Sequence, residues 1–249
     1  MSKPKVTSLS AALSKKPQFE KFSTWIVGDT PLITHAWSQK ARLEILQKQV
    51  KATKSGKEPR NPEQDFINSL YEMTDGVYGF PVTGVKDCIL DAAHKDRGIP
   101  RTAAMRALWL NAEMVRVRPA LKGAICDMPL VRIYGTQPEM REDMVRIGAG
   151  MNKTANLSYR GQFTVWAIRI TGETNPTILT EEALAFLVQW SGKSCGIGEW
   201  RNEKSGMFGR FHLATLAEEK AWDKYAAGKG KLPVPVPESD AAPLPMAAE

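Results

Sequence analysis

The sequence SCGIGEWRNEKSGMFGRF, residues 194–211, lies between a predicted helix and a predicted strand. Arginine and lysine alternate in it with aromatic side chains, and it holds four glycines: Gly196, Gly198, Gly206 and Gly209. Glycine allows a positive φ and a close approach of another backbone, which suits a tight loop. Arginine among aromatic rings offers charge for a phosphate and a flat face for stacking. The stretch predicts either a loop that binds nucleic acid or a hairpin that only closes a sheet.

The composition around this stretch is that of a soluble globular protein. The chain has 249 residues, of which 43% are hydrophobic and 24% charged, so it forms one large domain or two small ones. No apolar run approaches the ~18 residues that a membrane span needs, and the N-terminus lacks the apolar segment of a secretory signal. We therefore expect a cytoplasmic protein without membrane contact.

The cysteines and histidines predict no metal or cofactor site. Cys88, Cys126 and Cys195 are odd in number and far apart, which fits reduced thiols rather than a disulfide framework. None of the three histidines is spaced with a cysteine or an acid in the way a metal site requires. We expect no bound metal and no cofactor.

The charge of the chain points to a polyanionic partner. The net charge is +7 and the isoelectric point is about 9.3, which favours nucleic acid, although a basic chain can also serve solubility alone. Between Lys40 and Arg60 seven basic residues stand against two acids. This segment predicts a mobile basic finger or, alternatively, an ordinary solvated loop. The basic residues are Lys40, Arg42, Lys48, Lys51, Lys54, Lys57 and Arg60.

The order of predicted elements indicates an α+β protein with loose ends. Residues 1–18 predict a flexible arm, and the proline-rich residues 227–249 predict a disordered tail. Alternating or β-branched patterns predict strands at Phe19–Val27, Glu113–Val117, Leu130–Tyr134, Asp143–Ile147 and Phe163–Ile170, with a last strand at residues 211–216. Capping residues and apolar periodicity predict helices at Ala36–Val50, from Asn61, at Gly84–His94, at Thr102–Leu110, from Thr180 and at Lys220–Tyr225.

Cations on the predicted strands and in one loop leave two alternatives open. Arg116, Arg132, Arg146 and Arg169 either share a sheet face that tracks a phosphate backbone or guard scattered strand edges. The polar segment 148–161 predicts a loop, which is either a second contact with nucleic acid or an ordinary surface loop. Its candidate contacts are Lys153, Tyr159 and Arg160.

The sequence carries few catalytic motifs. The sequence has no HExxH and no P-loop, and Gly196-Ile-Gly198 lacks the third glycine of a dinucleotide fingerprint and follows a helix. His35 is the best lone candidate for the general base of a metal-independent ribonuclease. The alternative is a histidine that is hydrogen-bonded for structural reasons.

The strand–helix start and the helix–glycine loop–strand end, with Gly196-Ile-Gly198 and Gly206-Met-Phe-Gly209-Arg210-Phe211, resemble the RAMP superfamily. The closest likeness is to the CRISPR backbone subunits that polymerise along guide RNA. The pattern is also similar to phage or prophage proteins of this size. The resemblance implies an RNA-recognition-motif-like (ferredoxin-like) antiparallel sheet with helices on one face and inserted fingers, formed as a single domain by residues 19–226.

The same resemblance implies a function and a set of contacts. It implies a non-enzymatic subunit that binds single-stranded nucleic acid, RNA more than DNA, and assembles head-to-tail with copies of itself and other effector subunits. In this interpretation Lys51, Lys54, Lys57 and Arg60 of a basic insertion near 51–60 contact phosphate, and Trp200, Arg201, Lys204 and Arg210 are the contacts of the glycine loop. Two alternatives remain: an RNA endonuclease that uses His35, and a phage interaction or single-stranded-DNA-binding protein.

Overall fold

The computed structural model describes residues 19–36, 39–50, 61–74, 76–117, 121–147 and 154–233, which form two antiparallel sheets with helices packed on them. The predicted arm at 1–18, the predicted basic insertion at 51–60 and residues 234–249 of the predicted tail lie outside the described residues. The α+β class expected from the sequence is confirmed.

The larger sheet has eight strands. Its main path runs β11-β1-β10-β7-β4-β3, while β5 pairs with β10 and β6 pairs with β7, and every pair is antiparallel. The strands are β1 (Glu20–Gly28), β3 (Tyr71–Glu72), β4 (Tyr78–Pro81), β5 (Leu108–Leu110), β6 (Glu113–Arg116), β7 (Asp127–Gly135), β10 (Trp166–Thr174) and β11 (Phe211–Leu213).

The smaller sheet has three strands in the order β2-β9-β8. They are β2 (Leu32–Thr34), β8 (Glu139–Ile147) and β9 (Thr154–Phe163). Two predictions were wrong here. Residues 154–161 are not loop but most of β9, because nine residue pairs join β8 to β9. The predicted strand Phe163–Ile170 is divided by a bend at Thr164 and Val165, which passes the chain from β9 in one sheet to β10 in the other.

The described residues form six α-helices: α1 (Gln39–Gln49), α2 (Pro62–Asn68), α3 (Val82–Arg97), α4 (Arg101–Ala107), α5 (Glu181–Ser194) and α6 (Leu216–Ala226). Side chains cap three of them by accepting hydrogen bonds from first-turn N–H groups. Asn61 and Thr180 stand where the sequence predicts helix starts, whereas Thr215 lies within the predicted strand 211–216. The helix predicted at Thr102–Leu110 ends earlier. Leu108–Leu110 instead pairs with β10 as the strand β5, whose backbone hydrogen bonds replace those of a last helical turn.

The main core lies between one face of the larger sheet and the helices α3, α4 and α5. Ile26 of β1 and Ile168 of β10 are fully buried there with Ile89 of α3 and Leu187 of α5. Burial of such side chains from water is the main contribution to the stability of the fold.

The opposite face of this sheet carries a second, smaller core. Trp25, Val27 and Ala167 pack there against Trp222 of α6, with the two indole rings stacked 6.0 Å apart. The expectation that all helices lie on one face is therefore wrong for α6. A strand that buries residues on both of its faces needs cover on both sides, and α6 supplies the second cover.

The strand arginines divide between the sheets. Register places Arg132 and Arg169 on the same face as Trp25 and Tyr134, so two of the four share a surface. Arg116 instead forms a salt bridge with Asp127 across the β6–β7 pair, and Arg146 belongs to β8 of the smaller sheet. Neither alternative proposed from the sequence holds for all four.

Within the described residues, no helix is both long enough and apolar enough to cross a membrane.

Candidate nucleic-acid interface

The glycine loop, residues 195–210, connects α5 to β11 and is tied to the turn between β1 and β2. The N–H of Gly209 donates to Pro31 O at 2.9 Å, and the N–H of Glu199 donates to Ile33 O at 3.0 Å. A further bond, from Ile197 N to Gly209 O at 2.9 Å, closes the loop on itself. Backbone hydrogen bonds therefore attach this loop to the β1–β2 segment and to itself.

Three of the four glycines are required by close packing. A Cβ on Gly198 would lie 2.5 Å from Ile33 O. A Cβ on Gly206 would lie 1.7 Å from Trp200 O, and one on Gly209 would lie 1.7 Å from Ile197 O. Gly209 also has φ +66°, and Gly196 and Gly198 have φ +73° and +83°. The spacing of these glycines is therefore explained by the path of the loop backbone, with or without a ligand.

Trp200 adopts a backbone conformation that is rare for a bulky residue. Its φ is +54°, its side chain remains 38% exposed, and its carbonyl accepts the N–H of Phe208 at 3.1 Å. Left-handed conformations of non-glycine residues persist only where the surrounding structure imposes them, and they concentrate at binding sites. The loop thus presents an aromatic side chain to solvent from a strained, fixed position.

The three cations of the loop have different environments. Arg201 is held inside the loop, where Nε donates to Glu203 Oε2 at 3.0 Å and Nη1 donates to Gly198 O at 3.1 Å. Lys204 and Arg210 are exposed. Arg201 therefore helps to shape the loop, whereas Lys204 and Arg210 are exposed on the same loop as Trp200.

A cleft of about 920 Å³ separates the glycine loop from α3. Its charges are mixed: Arg101 forms salt bridges with Asp87 at 2.8 Å and with Asp91. Lys95 of α3 forms salt bridges with Asp91 of the same helix at 3.2 Å and with Glu203 of the glycine loop at 3.5 Å. Because these cations and carboxylates are paired, the cleft is not a uniformly positive channel. Its lining also includes His35, Arg42, Tyr71, Phe80, Cys88, Cys126, Glu199 and Arg201.

His35 lies in this cleft and has a carboxylate partner. Its Nδ1 is 3.0 Å from Glu199 Oε1, and the two side chains are 45% and 38% exposed. The hydrogen bond from His35 holds the pKa of Glu199 below its usual value against the effect of burial, and the charges of Arg160 and Arg201 act in the same direction. Tyr71 also donates its hydroxyl to His35 O at 3.1 Å. A carboxylate that orients an imidazole is the arrangement of a histidine base.

The predicted contacts of segment 148–161 are not all at the surface. Tyr159 is half-buried, and Arg160 is only 7% exposed, with its Nη1 4.0 Å from Asp143. Nε and Nη1 of Arg160 lack a hydrogen-bond partner among the described residues. Lys153 lies outside the described residues, as do Lys51, Lys54, Lys57 and Arg60.

The structure adds two residues that the sequence did not indicate. Glu199 is 164 positions from His35, and no local pattern signals such a pair. Arg141 of β8 places its guanidinium 4.5 Å from the centre of the Phe208 ring and donates to Asp143 at 2.9 Å, so it joins the smaller sheet to the glycine loop. The described residues contain no group of three or more His, Cys, Asp or Glu placed to hold a metal ion.

Comparisons with known proteins give only distant structural likeness. No protein-family model matches the chain, and no curated protein matches it. Among solved structures, the chain is similar to the crystal structure of Cmr6 from Pyrococcus furiosus, at 9% identity and a TM-score of 0.36, over 79% of this chain and 99% of that one. A similarity at this level does not identify a family.

Proposed function

We propose that this protein is a non-enzymatic subunit that binds single-stranded nucleic acid, RNA in preference to DNA, and that copies of it assemble head-to-tail along the strand. The observation that carries the proposal is Trp200, which is fixed at φ +54° and 38% exposed on a loop that also exposes Lys204 and Arg210. Proteins bind single strands without reading sequence by stacking bases on aromatic rings beside backbone-neutralising cations.

The distribution of charge supports the same proposal. The surplus of five positive charges between Lys40 and Arg60 is most of the net +7 of the chain. This segment begins in α1, whose Arg42 lines the cleft beside the glycine loop. A basic segment that continues in sequence from this helix suits a finger that follows a phosphate backbone.

The topology supports an elaborated RNA-recognition-motif-like fold of the RAMP type. The elements β1, α3, β7, β10, α5 and β11 follow one another in the β-α-β-β-α-β order of ferredoxin-like folds, and the four strands are neighbours in the order β11-β1-β10-β7. In this interpretation the β8–β9 pair is an insertion between β7 and β10, and residues 29–81 are an insertion between β1 and α3. Head-to-tail assembly rests on the resemblance to RAMP backbone subunits.

Substitution of Trp200 tests the proposal directly. Trp200→Ala removes the stacking surface, and we expect the Kd for a fluorescently labelled single-stranded RNA to rise roughly ten-fold, since stacking contributes about 1–3 kcal/mol per base. The matched control is Trp109→Ala, which removes a 64% exposed tryptophan of β5, outside the glycine loop. Fluorescence anisotropy with RNA and DNA of equal sequence measures both variants.

The outcomes of this experiment separate the candidates. Equal losses in both variants, or none in either, would remove the glycine loop as the binding surface. Tighter binding of DNA would favour a single-stranded-DNA-binding protein, and no binding of either strand by the parent would favour an interaction protein. Binding stoichiometry that rises in equal steps with RNA length supports assembly of copies along the strand.

The pair His35–Glu199 favours one second candidate, a metal-independent RNA endonuclease. His35 is oriented at 3.0 Å by a carboxylate and opens to a cleft, which is the geometry of a general base. Labelled RNA is incubated with the parent protein in the presence of a chelator, and with His35→Ala and Glu199→Gln. Cleavage by the parent that both variants lose supports the enzyme, whereas intact RNA after incubation with the parent dismisses it.

A further inference from the structure

Two buried cysteines lie near the junction between α5 and the glycine loop. Cys88 lies in α3 and is 5% exposed, and Cys195 follows the last residue of α5 and is 6% exposed. Both belong to the main core, in which α3 packs against α5. The third cysteine, Cys126, also lines the cleft, and its Sγ accepts a hydrogen bond from Arg42 Nη1 at 3.1 Å.

The two cysteines converge on one carbonyl oxygen. Cys88 Sγ donates to Ser191 O at 3.3 Å, and the N–H of Cys195 donates to the same oxygen at 2.9 Å. Ser194 Oγ lies 3.7 Å from Cys195 Sγ. Helix α3 and the end of α5, packed in the core, therefore hold both cysteines around one oxygen.

The contact divides the two thiols into a nucleophile and a partner. The hydrogen bond from Cys88 lowers the pKa of Cys195 to about 7, and the same bond and burial raise the pKa of Cys88. At neutral pH a substantial share of Cys195 is the thiolate, which is the reactive form of cysteine. Cys88 lines the 920 Å³ cleft, as do Gly196 and Ile197 directly after Cys195, so a small oxidant in the cleft comes next to the pair.

We propose that Cys88 and Cys195 are a reversible redox-modification site, which hydrogen peroxide converts to an intramolecular disulfide. The Cys195 thiolate attacks one peroxide oxygen, the O–O bond breaks, and the products are a sulfenic acid and hydroxide. The Cys88 sulfur then attacks the Cys195 sulfur and displaces a second hydroxide as the Cys88 proton leaves. The sum is two thiols and one peroxide to one disulfide and two waters, and a dithiol reductant reverses it by exchange.

The disulfide would join α3 to the first residue of the glycine loop. In a reducing compartment a disulfide of this kind is transient and serves as a sensor rather than as a structural link. The inference does not depend on nucleic-acid binding, because it concerns only the two sulfur atoms and the elements that carry them.

The test uses the full chain, reduced and then freed of reductant, with hydrogen peroxide as the probe. After a short exposure the protein is denatured, its remaining thiols are alkylated with N-ethylmaleimide, and its intact mass is measured. We expect two of the three thiols to be lost together, with a chain about 2 Da lighter before alkylation and full recovery after dithiothreitol. Peptide mapping should then find residues 88 and 195 linked.

Variants assign the result to the pair. Cys126→Ser keeps both partners and should still lose two thiols, whereas Cys195→Ser should lose none at the same peroxide dose. In Cys88→Ser, which lacks the resolving thiol, dimedone should trap a sulfenic acid at Cys195. Three results would each overturn the proposal: independent oxidation of single thiols, first oxidation at Cys126, or disulfides only between chains. The Cys126→Ser protein tests the pair even if the Cys88→Ser and Cys195→Ser proteins do not fold.

Discussion

His212 lies between two carboxylates that belong to different parts of the fold. Its Nδ1 is 2.5 Å from Asp29 Oδ1 in the turn after β1, and its Nε2 is 3.2 Å from Glu218 Oε1 in α6. Glu218 also completes the capping box of α6 with Thr215. The His212 imidazole therefore connects β11 with the turn after β1 and with the first turn of α6.

This geometry predicts a pH dependence of stability. The hydrogen bond to Asp29 raises the pKa of His212, so the folded state binds the proton more tightly than the unfolded chain does. The stabilisation is complete below the unfolded pKa of about 6.5 and is lost as the pH rises through the higher folded pKa. Urea unfolding of the parent should thus give a larger free energy near pH 6 than near pH 9, and His212→Gln should reduce this difference.

The control for this prediction is His94→Gln, which alters an exposed histidine near the end of α3. It should keep the pH dependence of the parent. If the free energy of unfolding of His212→Gln changes with pH as that of the parent does, protonation of His212 does not contribute to stability through these two contacts.

At the scale of elements, α6 is the helix that the sequence described least well. Only its last turns were expected, yet it runs from Leu216 to Ala226 and covers the second face of the larger sheet. Trp25 Nε1 donates to Asp223 Oδ1 at 3.0 Å, and Thr24 donates to Glu219 at 2.9 Å. The helix is thus fixed to β1 by ring stacking in the middle and by polar contacts on either side.

Truncation of its central side chain should therefore destabilise the whole fold. Trp222 is 1% exposed, and Trp222→Ala should lower the free energy of unfolding by roughly 3–5 kcal/mol, because the indole leaves a cavity against Trp25. Leu216→Ala on the same helix removes a 77% exposed side chain and should change it by less than about 0.5 kcal/mol. Urea denaturation followed by circular dichroism compares the two, and equal effects would contradict the assigned packing.

Local pattern explains which elements the sequence could predict. Strands such as β7 are rich in β-branched and other apolar residues, and the glycines at 206 and 209 stand where backbone contacts exclude a side chain, so the sequence predicts both features. The sequence does not predict the strand β9. Arg160 is buried although it is charged, so the alternation of buried and exposed positions is not matched by an alternation of apolar and polar residues. The pairs His35–Glu199 and Cys88–Cys195 join distant segments, and only the folded chain brings them together.

At the scale of the whole molecule, the surplus of positive charge and the exposed aromatic ring lie in different segments of the chain. Binding measurements at several salt concentrations can therefore distinguish their contributions. The described cleft pairs its cations with carboxylates, while the positive surplus lies between Lys40 and Arg60 and the exposed indole of Trp200 lies on the glycine loop. If the basic segment neutralises phosphates, binding to single-stranded RNA must weaken with salt, since each phosphate contact releases about 0.7 of a counterion. Stacking on a neutral ring has no such dependence.

Two variants should therefore change different parameters of the same titration. Combined replacement of Lys51, Lys54 and Lys57 by Ala should weaken binding at low salt and make the slope of log K against log salt shallower by about 2, which is three contacts at about 0.7 each. Trp200→Ala should weaken binding at every salt concentration and leave the slope unchanged, because no charge is removed. Anisotropy titrations at four or more salt concentrations measure both parameters. A triple variant with the parent's slope would place the phosphate contacts outside the basic segment, and a Trp200→Ala protein with a shallower slope would mean that this loop acts through charge rather than through its ring.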